Sequence, residues 1–436
     1  MVSAGYRGVD GAGYVAQGPN SGDRVSKDAV NDRVLHAKSI RTAAVRTDEA
    51  APRHIEILRT RPEIEALRGF WNACNPPRDA DLEFFLFISD IYPEVERPHV
   101  LVLYEGGAPK ALLVGRLERV RLPLRLGYLP LPSPTVRMIQ IVHGGWLGAL
   151  SEINAKLLVE GLIASLAAGE ADVASLHSPD LACSIARYAR TLPSWWCSDH
   201  TVRPEARRVR ELLPEAGPFL RSLSQNERYQ QRKRERNLRS SFGEPLIEIF
   251  TRPTEVDRLM RDAETVACRS YQRGLHVGFS DTPVIRNRLR FEAERGWLQG
   301  YVLYLNGDPV AFWIGSLRNG VFLSEYLSFD PAYTKYAPGM YLMLVVMEKL
   351  HDGPSHAPVR LVDFGIGDAP YKARLATRHW QESTVLVFSP RLRSVSTNAL
   401  RSSVAMANRW MKEALRFTPW LSTLKRRWRA RVMSDE

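Results

Sequence analysis

The segment "WLQGYVLYLNGDPVAFWIGSLRNGVFLSEYLSFD", Trp297 to Asp330, constrains the fold more than any other part of this 436-residue chain. Three apolar runs are separated by "NGD" and "RNG". Asn-Gly accepts positive φ at both positions, which suits the tight turns whose twist matches that of paired strands. The segment predicts a three-stranded antiparallel meander. Ahead of it lie a strand, "PLIEIF", and helices in "PTEVDRLMRDAETVACRSY" and "TPVIRNRLRFEAERG". Behind it, "PGMYLMLVVMEKLH" reads as a helix with proline at its first position. "VRLVDFG" is a strand, "APYKARLA" a helical turn and "WQESTVLVFS" a last strand.

The first half follows the same plan. Ile64, Leu67, Phe70 and Trp71 have helical spacing. "HVLVLYE", "GGAP" and "KALLVGRLERV" form a hairpin, and "MIQIVHGG" a further strand. "SEINAKLLVEGLIASLAAG" is a helix with Ser151 as N-cap, followed by strand "DVASLHS" and helix "PDLACSIARYAR". The likeness is one of pattern, without a repeat of fixed period. It predicts two α+β domains of one type in tandem, with mixed sheets flanked by helices. The expected divisions are a disordered leader at 1–52, domains at 53–215 and 216–390, and a basic amphipathic helical tail at 391–436.

No apolar run approaches the roughly 20 residues of a membrane span, and the first residues show no basic region followed by an apolar stretch. Cys74, Cys183, Cys197 and Cys268 form no C-x-x-C. That spacing suggests neither a disulfide framework nor a metal site, and it fits the cytoplasm. The net charge of +12 is concentrated in the tail, where residues 391–436 hold 11 Lys/Arg and 3 Asp/Glu.

The stretches "LSQNERYQQRKRERNLRSSFGE", "YLSFDPAYTKYAPGMYL" and "LVDFGIGDAPYKARLA" carry a resemblance. Over about residues 218–390 the chain resembles GNAT-type acyltransferases, and most closely the cellulose-biosynthesis (CelD-like) acetyltransferase branch, which is related to Fem-type aminoacyltransferases. Residues 53–215 match more weakly, at the level of architecture. The resemblance implies tandem GNAT-like domains and an acyl-CoA such as acetyl-CoA as co-substrate, with no metal. It places the diphosphate of that co-substrate at Lys335, Tyr336, Ala337, Gly339 and Met340, on a helix N-terminus suited to anions. The family's usual loop has a second glycine that is absent here, and Pro338 has no N–H to donate. A Pro-Gly turn that merely starts a core helix is the other reading.

Acyl transfer needs a base for the acceptor's proton, donors for the oxyanion and an acid for the leaving thiolate. Asp363, at the end of a strand, is the candidate base, Lys372 the candidate for the oxyanion and Tyr371 the candidate acid. Gly365 and Gly367 keep side chains away from a ligand. An Asp363–Lys372 ion pair that pins the loop is the alternative. Glu325 is a second candidate base, and strand alternation sets Glu325 and Tyr326 on opposite faces, so that only one meets the cleft. Asp363-Phe364-Gly365 also looks like a kinase motif, but no H-R-D-type loop or glycine-rich phosphate loop accompanies it.

Arg228, Arg232, Arg236 and Arg239 make one helical stripe. It either grips a diphosphate or charged glycan, or is a solvated face. Aromatic residues are sparse in it, which disfavours nucleic acid. In the tail, Leu400, Val404, Ala407, Met411 and Leu415, then Trp420, Leu424, Trp428 and Val432, form an apolar stripe among basic residues. Residues 398–433 are therefore expected either to lie on an anionic membrane, peripheral at its inner face, or to dock on the protein. These readings together suggest an N- or O-acyltransferase that modifies a small-molecule or glycan acceptor of the cell envelope or of polysaccharide assembly. The alternatives are aminoacyl transfer from tRNA and a non-catalytic scaffold.

Overall fold

The computed structural model describes residues 52–127, 129–213, 217–270, 278–352 and 359–416. The expected leader falls almost wholly outside these, as do the tail's Trp420, Leu424, Trp428 and Val432. The chain divides into two units. The N-terminal unit comprises residues 55–207, 282–292 and 379 onward, and the C-terminal unit 208–281 and 293–378.

Fifteen strands are described: β1 (Arg53–Leu58), β2 (Val95–Glu105), β3 (Ala108–Arg121), β4 (Leu124–Leu126), β5 (Leu129–Leu131), β6 (Thr135–Gly148), β7 (Val173–Leu176), β8 (Glu205–Glu211), β9 (Leu246–Phe250), β10 (Leu298–Leu305), β11 (Asp308–Arg318), β12 (Val321–Phe329), β13 (Leu361–Ile366), β14 (Arg378–Glu382) and β15 (Val385–Phe388). One sheet runs β1-β2-β3-β6-β7-β15 and the other β9-β10-β11-β12-β13-β8-β14, while β4 and β5 pair with each other. In each large sheet an antiparallel meander meets a parallel strand, β6 with β7 and β12 with β13. The fold is thus α+β with two mixed sheets.

The predicted turns form as their chemistry dictates. Asn306-Gly307 and Asn319-Gly320 have φ of 51°, 86°, 51° and 74°, so both residues of each turn sit at positive φ. The helix Glu152–Ala168 is capped by Ser151 Oγ, which accepts from Asn154 N at 3.3 Å, and it ends on Gly169 at φ 84°.

The duplication is closer than pattern alone suggests. Val102, Leu103, Tyr104, Gly107, Pro109, Ala111, Gly115 and Leu117 recur at the same spacing as Val302, Leu303, Tyr304, Gly307, Pro309, Ala311, Gly315 and Leu317. The structure repeats with them. Register slips between Leu103 and Tyr104 in one hairpin and between Leu303 and Tyr304 in the other. A second register shift lies just before each glycine, between Leu113 and Gly115 against β6 and between Ile314 and Gly315 against β12.

Two strands cross the divisions expected at 215 and 390. β8 joins the C-terminal sheet, and β15, behind all the rest of that sheet in sequence, closes the N-terminal sheet by pairing with β7 from Val385↔Leu176 to Phe388↔Val173. Val385 and Val387 are fully buried there. A short apolar run carries no signal of which sheet it will enter, because any sheet edge offers the same backbone groups.

Burial of His99 in the N-terminal core has a measurable consequence. Its ring is 0% exposed beside Ser165, Arg97 and Glu170. Burial pushes its pKa down to about 4. The unfolded chain then binds the proton more readily than the fold between pH 6.5 and about 4, so stability is full above that window and is lost as pH falls through it. A loss on the order of 2–3 kcal/mol is expected. The measurement is urea unfolding across pH 4–7; His99→Gln should flatten the slope.

Candidate active site

β12 and β13 pair in parallel at only Val321↔Leu361, Phe322↔Val362 and Leu323↔Asp363. Both strands run on, β12 to Phe329 and β13 to Ile366. They therefore part immediately beyond Asp363, leaving an opening in the middle of the sheet. Phe322, Val362 and Phe364 enter the core shared with the helix Pro338–Asp352. Alternation then sets Leu323 and Asp363 on the opposite face.

Asp363 is 6% exposed and accepts from Gly365 N at 2.8 Å. A carboxylate offers about four acceptor positions, and Gly365 N takes one of them. Gly365 and Gly367, at φ 71° and 111°, turn the chain back. Lys372 Nζ then donates to Ile366 O at 2.6 Å. The Tyr371 and Phe364 rings meet edge to face at 6.3 Å. Asp363, Tyr371 and Lys372 thus belong to one loop that closes on itself. It is further held by Arg210 of β8, whose Nη1 donates to Leu375 O at 2.6 Å.

The expectation that Glu325 and Tyr326 face opposite ways needs correction. Tyr326 pairs with Ile314 and Ser324 with Gly315, so Glu325 is an inserted residue with no counterpart on β11. A bulge breaks the alternation on which that expectation relied. Tyr326 packs edge to face on Phe279 at 5.3 Å.

The proposed diphosphate segment forms a 3-10 turn, Pro331–Tyr336, and then the Pro338–Asp352 helix. Asp330 caps the turn through Ala332 N at 2.9 Å. Lys335 lies over the Tyr336 ring at 4.8 Å, and hydrogen bonds with Ser241 and then Lys335 lower the Tyr336 pKa. Inside the helix the first i to i+4 bond is Tyr341 N to Ala337 O. Pro338 has no N–H, and the helix provides no acceptor for Gly339 and Met340 N–H. Gly339 also has a packing reason: a Cβ there would stand 3.2 Å from the Phe329 ring.

Ala337, immediately before Pro338, sits at φ 49° and ψ 54°, where alanine costs about 1–2 kcal/mol. Strain of this kind is found at ligand clamps. Ala337→Gly is expected to stabilise the fold by about 1 kcal/mol, which melting temperature checks.

Arg232, Arg236 and Arg239 line a surface hollow of about 570 Å³ with Glu235 and Ser240. It lies on the helix Gln225–Phe242, whose Phe242 contacts Tyr336 at 4.9 Å. The arginine stripe and the proposed diphosphate segment are thus neighbours. The tail helix Leu392–Arg416 docks on the N-terminal unit by polar groups. Asn398 Nδ2 donates to Trp196 and Ser198 oxygens, Arg401 pairs with Asp199, and Asn408 bonds Gly127 N and Arg125 O. Leu400, Met406 and Trp410 stay exposed.

Residues 225–373 match the family model described as an acetyltransferase (GNAT) domain. This part of the chain is thus similar to GNAT acetyltransferase domains. Its span contains every candidate residue from Arg232 to Lys372. No curated protein matches the chain in sequence. Among solved structures it is similar to a conserved protein of unknown function from Bacteroides thetaiotaomicron VPI-5482 (15% identity, TM-score 0.45, 74% of this chain and 97% of that one). It is similar also to FemX (9%, 0.47, 76% and 97%) and to a tandem GNAT protein from the clavulanic acid biosynthesis pathway (13%, 0.42, 78% and 99%). Likeness at that level sets no activity for this chain. Among the described residues no cluster of His, Cys, Asp and Glu could hold a metal, and no helix is long and apolar enough to cross a membrane.

Proposed function

We propose that the chain moves an acyl group from an acyl-CoA, acetyl-CoA in the simplest case, to an amine or hydroxyl of a cell-envelope or polysaccharide acceptor. The observation that carries this is the opening between β12 and β13, with Asp363 at its edge, inside the matched domain. Gly339 and Met340 N–H would hold the diphosphate, with Lys335 beside them. The acceptor's nitrogen or oxygen attacks the thioester carbon directly and its proton passes to Asp363, with Glu325 the second candidate. Lys372 stabilises the oxyanion. As the carbon–sulfur bond breaks, Tyr371 protonates the thiolate. No covalent enzyme intermediate is needed.

The test is release of free thiol from acetyl-CoA and propionyl-CoA with amino-sugar and oligosaccharide acceptors. Acceptor-dependent release supports the reading; none across the panel contradicts it. The arginine-lined hollow favours one second reading, aminoacyl transfer from tRNA, for which binding would fall steeply with salt. The exposed Leu400, Met406 and Trp410, with the basic residues that follow, support peripheral contact of residues 398–433 with an anionic membrane.

A further inference from the structure

The internal repeat places a second polar site in the N-terminal unit. Gly115 pairs with Ile141 and Leu113 with Trp146, so His143 lies within the bulge of β6, as Glu325 lies within that of β12. β6 and β7 pair from Met138↔Val173 to Ile141↔Leu176, after which β6 runs on to Gly148 while β7 ends. His177 follows at once. Here too the sheet opens beyond a bulge, a place where strands re-aim side chains at functional sites.

What lines this second opening is ionisable. Arg207 Nη1 donates to Glu382 Oε2 and to His143 Nε2, both at 3.0 Å. Trp380 Nε1 donates to Glu382 Oε1 at 2.7 Å. Arg78 pairs with Asp79 at 2.8 Å and with Glu292 at 3.2 Å. The His143 and His177 rings lie edge to face at 6.3 Å. Arg207, Glu382, Arg78 and Glu292 are all buried, whereas His143 and Asp79 are 24% and 29% exposed. A buried base of paired charges therefore supports a reachable rim. Apolar residues of similar volume would be as stable or more so, which makes stability a poor reason for the cluster.

The protonation pattern limits the ligand. Arginine can only donate, so His143 Nε2 accepts from it and the neutral ring carries its proton on Nδ1. His177 is held neutral by burial. Asp79 stays ionised against Arg78. Each buried charge already has an opposite partner, and Arg116 likewise pairs with Glu118. The rim thus offers imidazole and carboxylate hydrogen-bonding positions, both donor and acceptor, while Arg78, Arg207 and Arg116 are each paired with a carboxylate. A hydroxyl is both donor and acceptor. We propose that the opening beyond β6 and β7 is a second ligand site, which takes a neutral polyhydroxyl ligand of the sugar type between Asp79, His143 and His177.

This holds whether or not Asp363 serves acyl transfer. The experiment is calorimetric titration of the full chain with cellotetraose, N-acetylglucosamine and sucrose, and with ethanolamine and inorganic phosphate as charged probes. Saturable binding of at least one sugar is expected, weakened tenfold or more in His143→Gln and in His177→Asn. Circular dichroism and melting temperature show whether each variant folds, and Asp79→Asn provides a further variant should either histidine change unfold the unit. Absence of sugar binding overturns the proposal. So do sugar binding untouched in the folded variants, and binding of ethanolamine or phosphate alone.

Discussion

Asp363→Asn is expected to lower acyl transfer by about 10²–10⁴-fold, the usual contribution of a positioned general base, while leaving the fold intact. The geometry of the loop favours an intact fold. Asparagine keeps the shape of aspartate, and its carbonyl can still accept from Gly365 N, the bond that Asp363 makes at 2.8 Å. The capacity to take a proton is lost, together with the negative charge. Binding of the co-substrate should be nearly unchanged, so the defect should appear in kcat. A melting temperature within a few degrees of the parent, together with the kinetic loss, is the supporting result. Full turnover in Asp363→Asn would move the base to Glu325 or remove the need for one. Lys372→Met is a less clean variant, because Lys372 Nζ also closes the loop on Ile366 O.

Val387→Asp should unfold the N-terminal unit although Val387 lies beyond every other strand in sequence. It is fully buried and paired with Ala174 in the N-terminal sheet. An ionised carboxylate placed there costs several kcal/mol, a large part of the 5–15 kcal/mol that holds a domain together. Val387→Ala, which removes only methyl groups, should cost about 2 kcal/mol. Hydrogen exchange separates the units. Amides of β7 and β6 should lose protection in Val387→Asp, while those of β10 and β11 keep it. Loss confined to β13 and β12 would place β15 in the other sheet and contradict the topology.

The fold was legible where local chemistry decides it. Asn306-Gly307 and Asn319-Gly320 mark the turns, Ser151 and Gly169 mark the ends of a helix, and Pro338 marks a helix start. The assignment of β8 and β15 was not legible, because which edge a strand joins is decided by long-range packing. The bulge at Glu325 was hidden for a similar reason: a run of alternating residues does not show where a partner strand skips one. Of the candidate site, the loop from Asp363 to Lys372 was legible, since its glycines and its Tyr-Lys pair are adjacent in sequence. The polar cluster of His143, His177, Arg207 and Glu382 was not read, as its members are spread across the chain. The signal lay in "LVLYEGGAPKALLVG" and "YVLYLNGDPVAFWIG". Alignment of those two hairpins carries the opening beyond β12 onto the one beyond β6.

The central claim is that an acyl-CoA binds where β12 and β13 part, with its diphosphate at the start of the Pro338–Asp352 helix. Calorimetric titration of acetyl-CoA into the full chain, repeated with Gly339→Val, tests it most directly. Binding at one site per chain, lost in a Gly339→Val variant that still folds, is the result predicted. No binding to the parent chain, or equal binding to both, would contradict it.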